Sequence, residues 1–177
     1  GHLIKSKGYR RVLEAAKIFQ KRGCPRTFDF VGAFGSKTEE KYFRDFVEKN
    51  ELSDVVYYHG TKYGKEKSKY FLNAIMLLLP SYKEQYPLTI PEAFSCGLPV
   101  IATDTGANRI MIGEYYGFVV EQNSESEYLD LIVDSVERLV ESWDLKSALR
   151  CYEYYMENWG GKQFEVGLLK TLNLVEF

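Results

Sequence analysis

Short apolar runs alternate with longer amphipathic stretches along this chain. The apolar runs predict β-strands over residues 27–31, 55–59, 75–79, 99–102 and 117–120. The runs at 75–79 and 99–102 are apolar on both faces, which is typical of parallel strands covered by helices. Apolar side chains at helical spacing predict helices over residues 9–22, 38–50 and 127–143. This alternation predicts right-handed βαβ units in a doubly wound α/β domain, with a parallel sheet and helices on both faces.

Four loops that follow the predicted strands contain glycine, proline or small polar residues. They span residues 32–36, 60–64, 80–87 and 103–107. In an α/β domain of this type, ligands bind beyond the carboxyl ends of the strands. A ligand site is therefore expected among these four loops.

Two glutamates, Glu84 and Glu92, lie in the third loop and shortly after it. Pro87 and a second proline four residues later bracket the start of a predicted helix, because proline is tolerated where amides have no intrahelical partner. The amides of Leu88 and Thr89 are then free at the positive end of that helix, which favours an anion. Carboxylates beside an anion site suit a ligand that is part phosphate and part polyol. The stretch therefore predicts a sugar-nucleotide site.

The composition indicates a single folded domain over residues 1–177. Hydrophobic residues make up 45% and charged residues 27% of the chain, so a normal core can form. The net charge of −2 gives no general attraction to nucleic acid. The three cysteines have no CxxC spacing, which argues against disulfides and a zinc site and favours a reducing cytosol. The chain starts without methionine, so we expect it to belong to a longer protein.

The stretch LPSYKEQYPLTIPEAFSCGLPVIATDTG closely resembles the signature of the family 4 retaining glycosyltransferases, which have the GT-B fold. That signature has the form PS-x-x-E-G-F-P-L-x-x-x-E-A-x-x-x-G-x-P-V-I-A-T-D-x-G-G. Two glutamates at this spacing alone would indicate a solvated loop residue and a helix-start charge, so the interpretation depends on the whole string. Other segments also resemble the family, namely GHLIKSKGYRRVLEA, FDFVGAFG, VVYYHG, GFVVE and YYMENWGGKQF.

The resemblance implies a Rossmann-like domain, the C-terminal and nucleotide-sugar-binding half of a GT-B fold. The N-terminal acceptor domain would be absent from this sequence. The intact enzyme would move a hexose from a UDP-, GDP- or ADP-sugar to an acceptor hydroxyl with retention of configuration. The acceptor would be a glycan, a lipid-linked glycan or a small molecule. No cofactor and no metal are expected, and the chain contains no D-x-D motif.

The same resemblance implies a role for individual residues. Glu84 would bind hydroxyls of the donor sugar and Lys7 would neutralise the diphosphate, so these two are the expected catalytic residues. Glu92 would bind the nucleotide ribose. The amides of Leu88 and Thr89 would hold the diphosphate. The remaining expected donor-binding residues are His2, Gly32, His59, Gly60 and Pro87. His59, together with Gly60 and Thr61, would line the base pocket through its backbone.

Three positions depart from the family pattern. His2 stands in place of an arginine, Gln85 in place of a glycine, and Ala107 in place of a second glycine. Histidine, with an unperturbed pKa of about 6.5, is only partly charged at neutral pH and cannot form a bidentate fork. Two other functions also stay open. One is a sugar-nucleotide epimerase of GT-B-like fold, although the chain has only two histidines for acid–base chemistry. The other is a degenerate, non-catalytic nucleotide-sugar-binding scaffold.

Four lysines and a tyrosine form a basic patch between residues 62 and 69: Lys62, Tyr63, Lys65, Lys67 and Lys69. We interpret the patch as a solvated helix face rather than as a surface for anionic lipid or a phosphorylated acceptor. For the full protein we expect a cytoplasmic location, with peripheral association at the cytoplasmic face of the membrane left open.

Overall fold

A computed structural model describes residues 1–160 of the chain. Five strands lie in this range: β1 (Phe28–Val31), β2 (Val56–Gly60), β3 (Leu77–Leu79), β4 (Val100–Thr103) and β5 (Gly117–Val120). They alternate with helices α1 (Tyr9–Lys21), α2 (Lys37–Lys49), α3 (Gly64–Asn73), α4 (Thr89–Phe94), α5 (Asn108–Ile112), α6 (Glu125–Ser142) and α7 (Leu145–Asn158). The predicted α/β class is confirmed. The last residues of the YYMENWGGKQF segment, 161–164, lie outside the described range.

All the strand pairs in this range are parallel, and they form two sheets rather than one. β1 pairs with β2, and β4 lies between β3 and β5. Residues 1–8 run between the two sheets. The amide of Leu3 donates to the carbonyl of Ala33 at 2.8 Å, and the amide of Tyr82 donates to the carbonyl of Ser6 at 2.9 Å. The N-terminal segment therefore bonds to the residues that follow β1 and to those that follow β3. It lies between the two sheets at their carboxyl ends.

Helices cover both faces of the larger sheet, as strand β4 shows. All four of its residues are buried. Ile101 packs into the same apolar cluster as the buried residues of α1 and α6. Val100 and Ala102 pack into a second cluster with Phe94 of α4 and Cys151 of α7. Because successive strand residues point to opposite faces, the two clusters lie on the two sides of the sheet.

Two element starts differ from the sequence prediction by two residues, whereas the other predicted limits are met to within one residue. β3 is shorter than the predicted strand, because it begins at Leu77 and the side chain of Ile75 is 61% exposed. α6 begins two residues earlier than predicted, at Glu125. Ser124 accepts from the amide of Glu127, and the Glu127 side chain accepts from the amide of Ser124. This capping box satisfies two amides that the first turn leaves free, so the helix starts there.

Candidate functional site

The four loops at the carboxyl ends of the strands lie where the sequence predicts a ligand site. They follow β1, β2, β3 and β4. A cavity of about 620 Å³ opens beside two of them, the loops after β3 and β4, and is lined by Lys7, Lys83, Glu84, Gln85, Tyr86 and Thr105. A second, apolar cavity of about 390 Å³ lies at the opposite end of the larger sheet, beside Ala74 and Leu98, which precede β3 and β4. Of the expected site residues, Lys7 and Glu84 line the polar cavity, and the others are not part of its lining.

Glu84 and Lys7, the two expected catalytic residues, are in direct contact. Lys7 Nζ lies 2.8 Å from Glu84 Oε2, and Ser81 Oγ donates to Glu84 Oε1 at 2.9 Å. The Glu84 side chain is only 6% exposed, whereas that of Lys7 is 42% exposed. A carboxylate this buried needs such partners, because an unpaired buried charge is strongly unfavourable. The geometry presents a buried carboxylate with a partly exposed cation at its rim.

Glycine at position 8 allows Lys7 to approach Glu84. Gly8 has φ +78°, a left-handed conformation that follows a single 3₁₀ turn over Lys5–Lys7. A Cβ atom at this position would lie 2.0 Å from the carbonyl oxygen of Pro80. Only glycine fits such a close approach of two backbones. The Lys-Gly pair therefore packs directly on the end of β3, just before the loop that carries Glu84.

Gly106, in the loop after β4, packs against the Glu84 loop in the same way. Its φ is +57°, and a Cβ atom would lie 2.3 Å from the carbonyl oxygen of Glu84. The next amide, that of Ala107, donates to the carbonyl of Gln85 at 2.8 Å. The two loops are thus joined through backbone contacts. The departures at 85 and 107 leave this junction intact, since it uses backbone atoms alone.

A buried arginine supports the start of the Glu84 loop. The Arg11 guanidinium is 4% exposed and donates to the carboxylate of Glu125 at 2.6 and 2.8 Å. It lies 3.6 Å from the centroid of the Tyr82 ring on one side and 4.0 Å from that of Tyr128 on the other. A further bond reaches the carbonyl of Pro80 at 3.3 Å. The hydrogen bonds from Arg11 lower the pKa of Glu125, and burial raises the pKa of Tyr128 to about 12.

Glu92 lies in the first turn of α4, and its carboxylate is paired with a lysine. Lys67 Nζ lies 2.6 Å from Glu92 Oε1 and 2.6 Å from Oε2. This ion pair joins α3 to α4. Lys67 was expected on a solvated face, so that interpretation is wrong for this lysine. The neighbours Lys65 and Lys69 are exposed, in agreement with it.

Four other expected donor-binding residues lie at the carboxyl ends of β1 and β2 and in the N-terminal segment. The amide of Gly32 donates to the carbonyl of Gly60 at 2.9 Å, so the loops after β1 and β2 touch. His59 Nε2 lies 2.5 Å from Asp29 Oδ1, and its ring centroid lies 4.6 Å from that of Tyr70. His2 is exposed. The described contacts fix the His59 side chain, and they assign no role to its backbone.

The start of α4 has the geometry that its prolines predict. The helix begins at Thr89 with Leu88 as its N-cap, and the amide of Ile90 donates to the carbonyl of Pro87 at 3.1 Å. The helix ends before Gly97, which has φ +71° as expected for a left-handed terminator. Whether the amides of Leu88 and Thr89 hold a diphosphate stays a prediction.

An aromatic hydrogen bond connects α7 to the polar cavity. Trp159, just beyond α7, donates through Nε1 to the hydroxyl of Tyr86 at 2.7 Å. Tyr86 lines the cavity, and Trp159 packs against Phe94 of α4 with ring centroids 6.1 Å apart. The end of α7 is thereby attached to the same loop that carries Glu84.

Among residues 1–160, no three His, Cys, Asp or Glu side chains are grouped so that they could hold a metal ion. Within the same range, no helix is both long enough and apolar enough to cross a membrane.

Solved structures share this fold. The chain matches HepE of Anabaena, in complex with UDP, with a TM-score of 0.81 at 18% identity over 99% of this chain and 47% of that chain. It matches the pneumococcal O-GlcNAc transferase GtfA, in complex with UDP and GlcNAc, with a TM-score of 0.80 at 20% identity over 97% of this chain and 34% of that chain. The α/β fold, with parallel sheets flanked by helices, is that of GT-B glycosyltransferase structures.

Sequence comparison finds relatives that are named as glycosyltransferases. The chain is 29% identical over 137 residues to a D-inositol 3-phosphate glycosyltransferase of Paenarthrobacter aurescens, over 76% of this chain and 33% of the relative. It is 28% identical over 170 residues to an uncharacterized glycosyltransferase of Haemophilus influenzae, over 91% of this chain and 46% of the relative. The chain thus spans less than half the length of these two curated relatives. Residues 1–155 match the family described as Glycosyl transferases group 1, and the chain belongs to that family.

Proposed function

We propose that this chain is the donor-binding, C-terminal domain of a family 4 glycosyltransferase. The intact enzyme transfers a hexose from a nucleoside diphosphate sugar to an acceptor hydroxyl, with retention of configuration and without a metal. Membership of the group 1 glycosyl transferases supports the reaction class. The UDP complexes of proteins with the same fold support a nucleotide-sugar donor.

The contact between Glu84 and Lys7 is the observation that carries this proposal. It places a buried carboxylate and a partly exposed ammonium 2.8 Å apart in the wall of a polar cavity. A carboxylate accepts hydrogen bonds from sugar hydroxyls, and an ammonium stabilises a phosphate. The two groups together suit the junction between a sugar and a diphosphate.

The chemistry follows from where charge develops. The bond between the anomeric carbon and the diphosphate oxygen breaks, and the acceptor oxygen bonds to that carbon on the same face. The acceptor proton passes to the departing diphosphate. Negative charge grows on the diphosphate as it leaves, so a cation fixed beside it stabilises the transition state more than the ground state. Lys7 is the residue placed to do this.

A calorimetric titration with UDP, GDP and ADP tests the donor site. One of the three nucleotides should bind saturably to the 177-residue chain. Glu92→Ala should weaken that binding about tenfold, because it removes charge-assisted hydrogen bonds to the ribose. Glu114→Ala, which changes an exposed glutamate in the loop before β5, is the matched control and should leave the affinity unchanged.

Two outcomes would contradict the proposal. If none of the nucleotides binds, the chain has no working donor site. If one binds with an affinity that Glu92→Ala leaves unchanged, the site is not built around this carboxylate, and a non-catalytic scaffold is the better description.

We also propose that the chain alone transfers no sugar, because the acceptor groups come from another domain. An assay for release of nucleoside diphosphate from its sugar conjugate should show no turnover. Sustained turnover by the 177-residue chain would contradict this part of the proposal and leave the donor site untouched.

A further inference from the structure

One side chain of the same protein contacts both oxygens of the Glu92 carboxylate. Lys67 Nζ lies 2.6 Å from each of its two oxygens. Lys67 comes from α3 and Glu92 from α4, so their contact depends on how these two helices pack. The pair is partly exposed, with 27% of the Lys67 side chain and 42% of the Glu92 side chain open to solvent.

An ammonium in this position competes with a ribose for the two oxygens of the Glu92 carboxylate. A ribose offers two neighbouring hydroxyls as donors, and a carboxylate accepts them best with one oxygen each. The ammonium now contacts both of these oxygens. Two neighbouring hydroxyls can therefore reach both oxygens from that same side only when the ammonium moves away.

We propose that Lys67 competes with the ribose for Glu92 and thereby determines the nucleotide specificity of the site. This inference rests on the proposed function, in which Glu92 binds the ribose. When Lys67 leaves, the carboxylate loses its ion pair with the ammonium. A ligand that presents both hydroxyls replaces that ion pair with two hydrogen bonds. A 2′-deoxynucleotide or a bare diphosphate replaces less of it, and such a ligand is disfavoured.

Solvent reaches the Lys67 side chain. Its ammonium lies 5.8 Å from the centroid of the Phe71 ring, one turn further along α3, and its side chain is partly open to solvent. A displaced ammonium is readily hydrated. The free-energy cost of displacement is therefore little more than that of breaking a partly exposed ion pair.

The sign of the effect separates this competition from ordinary electrostatics. A nucleoside diphosphate is an anion, so removal of a nearby cation should weaken its binding. Competition predicts the opposite result, because removal of Lys67 frees the carboxylate. A lysine that instead orients Glu92 for the ribose would also give weaker binding when removed.

The experiment titrates the 177-residue chain with whichever of UDP, GDP and ADP binds, and with the 2′-deoxy form of the same nucleotide. Lys67→Met should tighten binding of the ribonucleotide about two- to fivefold, the range for a partly exposed ion pair. The 2′-deoxy form should gain less. Lys67→Gln should behave like Lys67→Met. Lys69→Met removes an exposed lysine from the same helix and should give no tightening.

A double variant isolates the shared carboxylate. In a Glu92→Ala background, Lys67→Met should no longer tighten binding. If the parent chain binds nucleotide, Glu92→Ala weakens it, and Lys67→Met fails to tighten it, the competition is wrong while the proposed function stands. If no nucleotide binds to any variant, or if Glu92→Ala leaves binding unchanged, the proposed function and this inference fall together.

Discussion

At Gly106, one loop backbone presses on another with no side chain between them. The site of a missing Cβ atom lies 2.3 Å from the Glu84 carbonyl oxygen, and φ is +57°. We expect Gly106→Ala to lower the free energy of unfolding by about 3 kcal/mol, since it adds a steric clash to the cost of a left-handed conformation. Urea unfolding followed by circular dichroism measures the change.

Gly23→Ala is the control for the conformational part alone. Gly23 has φ +71°, and a Cβ atom there would meet no atom within 4 Å. This variant should lose only about 1 kcal/mol. If Gly106→Ala were no more destabilising than Gly23→Ala, the loop contact would have no energetic importance.

The thiol of Cys151 should be the least reactive of the three cysteines. Burial raises the pKa of this thiol from its ordinary value of 9.0 to about 12. At pH 8 the folded protein then holds it almost entirely protonated, and a protonated, buried thiol is a poor nucleophile. Labelling with a maleimide, followed by mass spectrometry of the peptides, should modify Cys24 and Cys96 long before Cys151.

The raised pKa also sets a pH window. The unfolded thiol ionises from about pH 9 and the folded one does so only near 12, so this group's contribution to stability is lost as the pH rises between these values. Labelling of Cys151 in the native protein at the rate of Cys96 would contradict its burial.

The sequence identified the acidic residues of the candidate site better than their partners. Glu84 and Glu92 stand out because a long contiguous motif contains both. Lys67 lies about 25 residues from Glu92 in a helix that supplies no motif, and nothing local marks it as different from Lys65 or Lys69. Its contact depends on the packing of α3 and α4, which is a tertiary property.

Between elements, the bond from Arg11 to Glu125 joins α1 to α6. The hydrogen bonds that Arg11 donates lower the pKa of Glu125 below the ordinary value of 4.5. A lowered carboxyl pKa gives stability that is present above pH 4.5 and is lost as the pH falls through the folded pKa. Glu125→Gln should therefore unfold more easily than the parent at pH 7, and the difference should shrink below pH 4.5. Urea titrations at a series of pH values measure it.

Glu141→Gln is the matched substitution on the same helix, at an exposed position near its other end. Its stability should follow that of the parent protein at every pH. A gap between Glu125→Gln and the parent that stayed constant from pH 7 to 3 would show that the loss comes from packing rather than from charge.

Element types were more predictable than element limits. The run from Ile75 to Leu79 has the apolar pattern of a buried strand, yet only Leu77–Leu79 pair with β4. Strand length depends on the partner, and a run of apolar letters does not show where pairing begins. The start of α6 was missed for a different reason, because the capping box at Ser124 lies before the first apolar residue of the helix.

Across the whole molecule, the protection of backbone amides should follow burial. β4 has four buried residues and a paired strand on each side, whereas none of the ten residues of α3 is buried. We expect amides of β4 to exchange with solvent only on global unfolding, and those of α3 through local opening. Native-state hydrogen exchange, followed by mass spectrometry of peptides, makes this comparison.

The comparison has an internal reference in α6, whose inner face is buried against α1. If α3 exchanged as slowly as α6, the helix that carries Lys67 would be far more rigid than its exposure indicates. Lys67 would then have to leave Glu92 by rotation of its own side chain alone.

The hydrogen bond from Trp159 to Tyr86 gives the protein an optical reporter of its own. The chain has two tryptophans, and the other, Trp143, lines the apolar cavity at the far end of the sheet. Indole emission responds to the polarity and hydrogen bonding of its surroundings. A ligand that displaces the Tyr86 hydroxyl therefore shifts the emission wavelength of Trp159. With Trp143→Phe, emission from the single remaining indole becomes a direct and label-free signal for occupancy of the polar cavity.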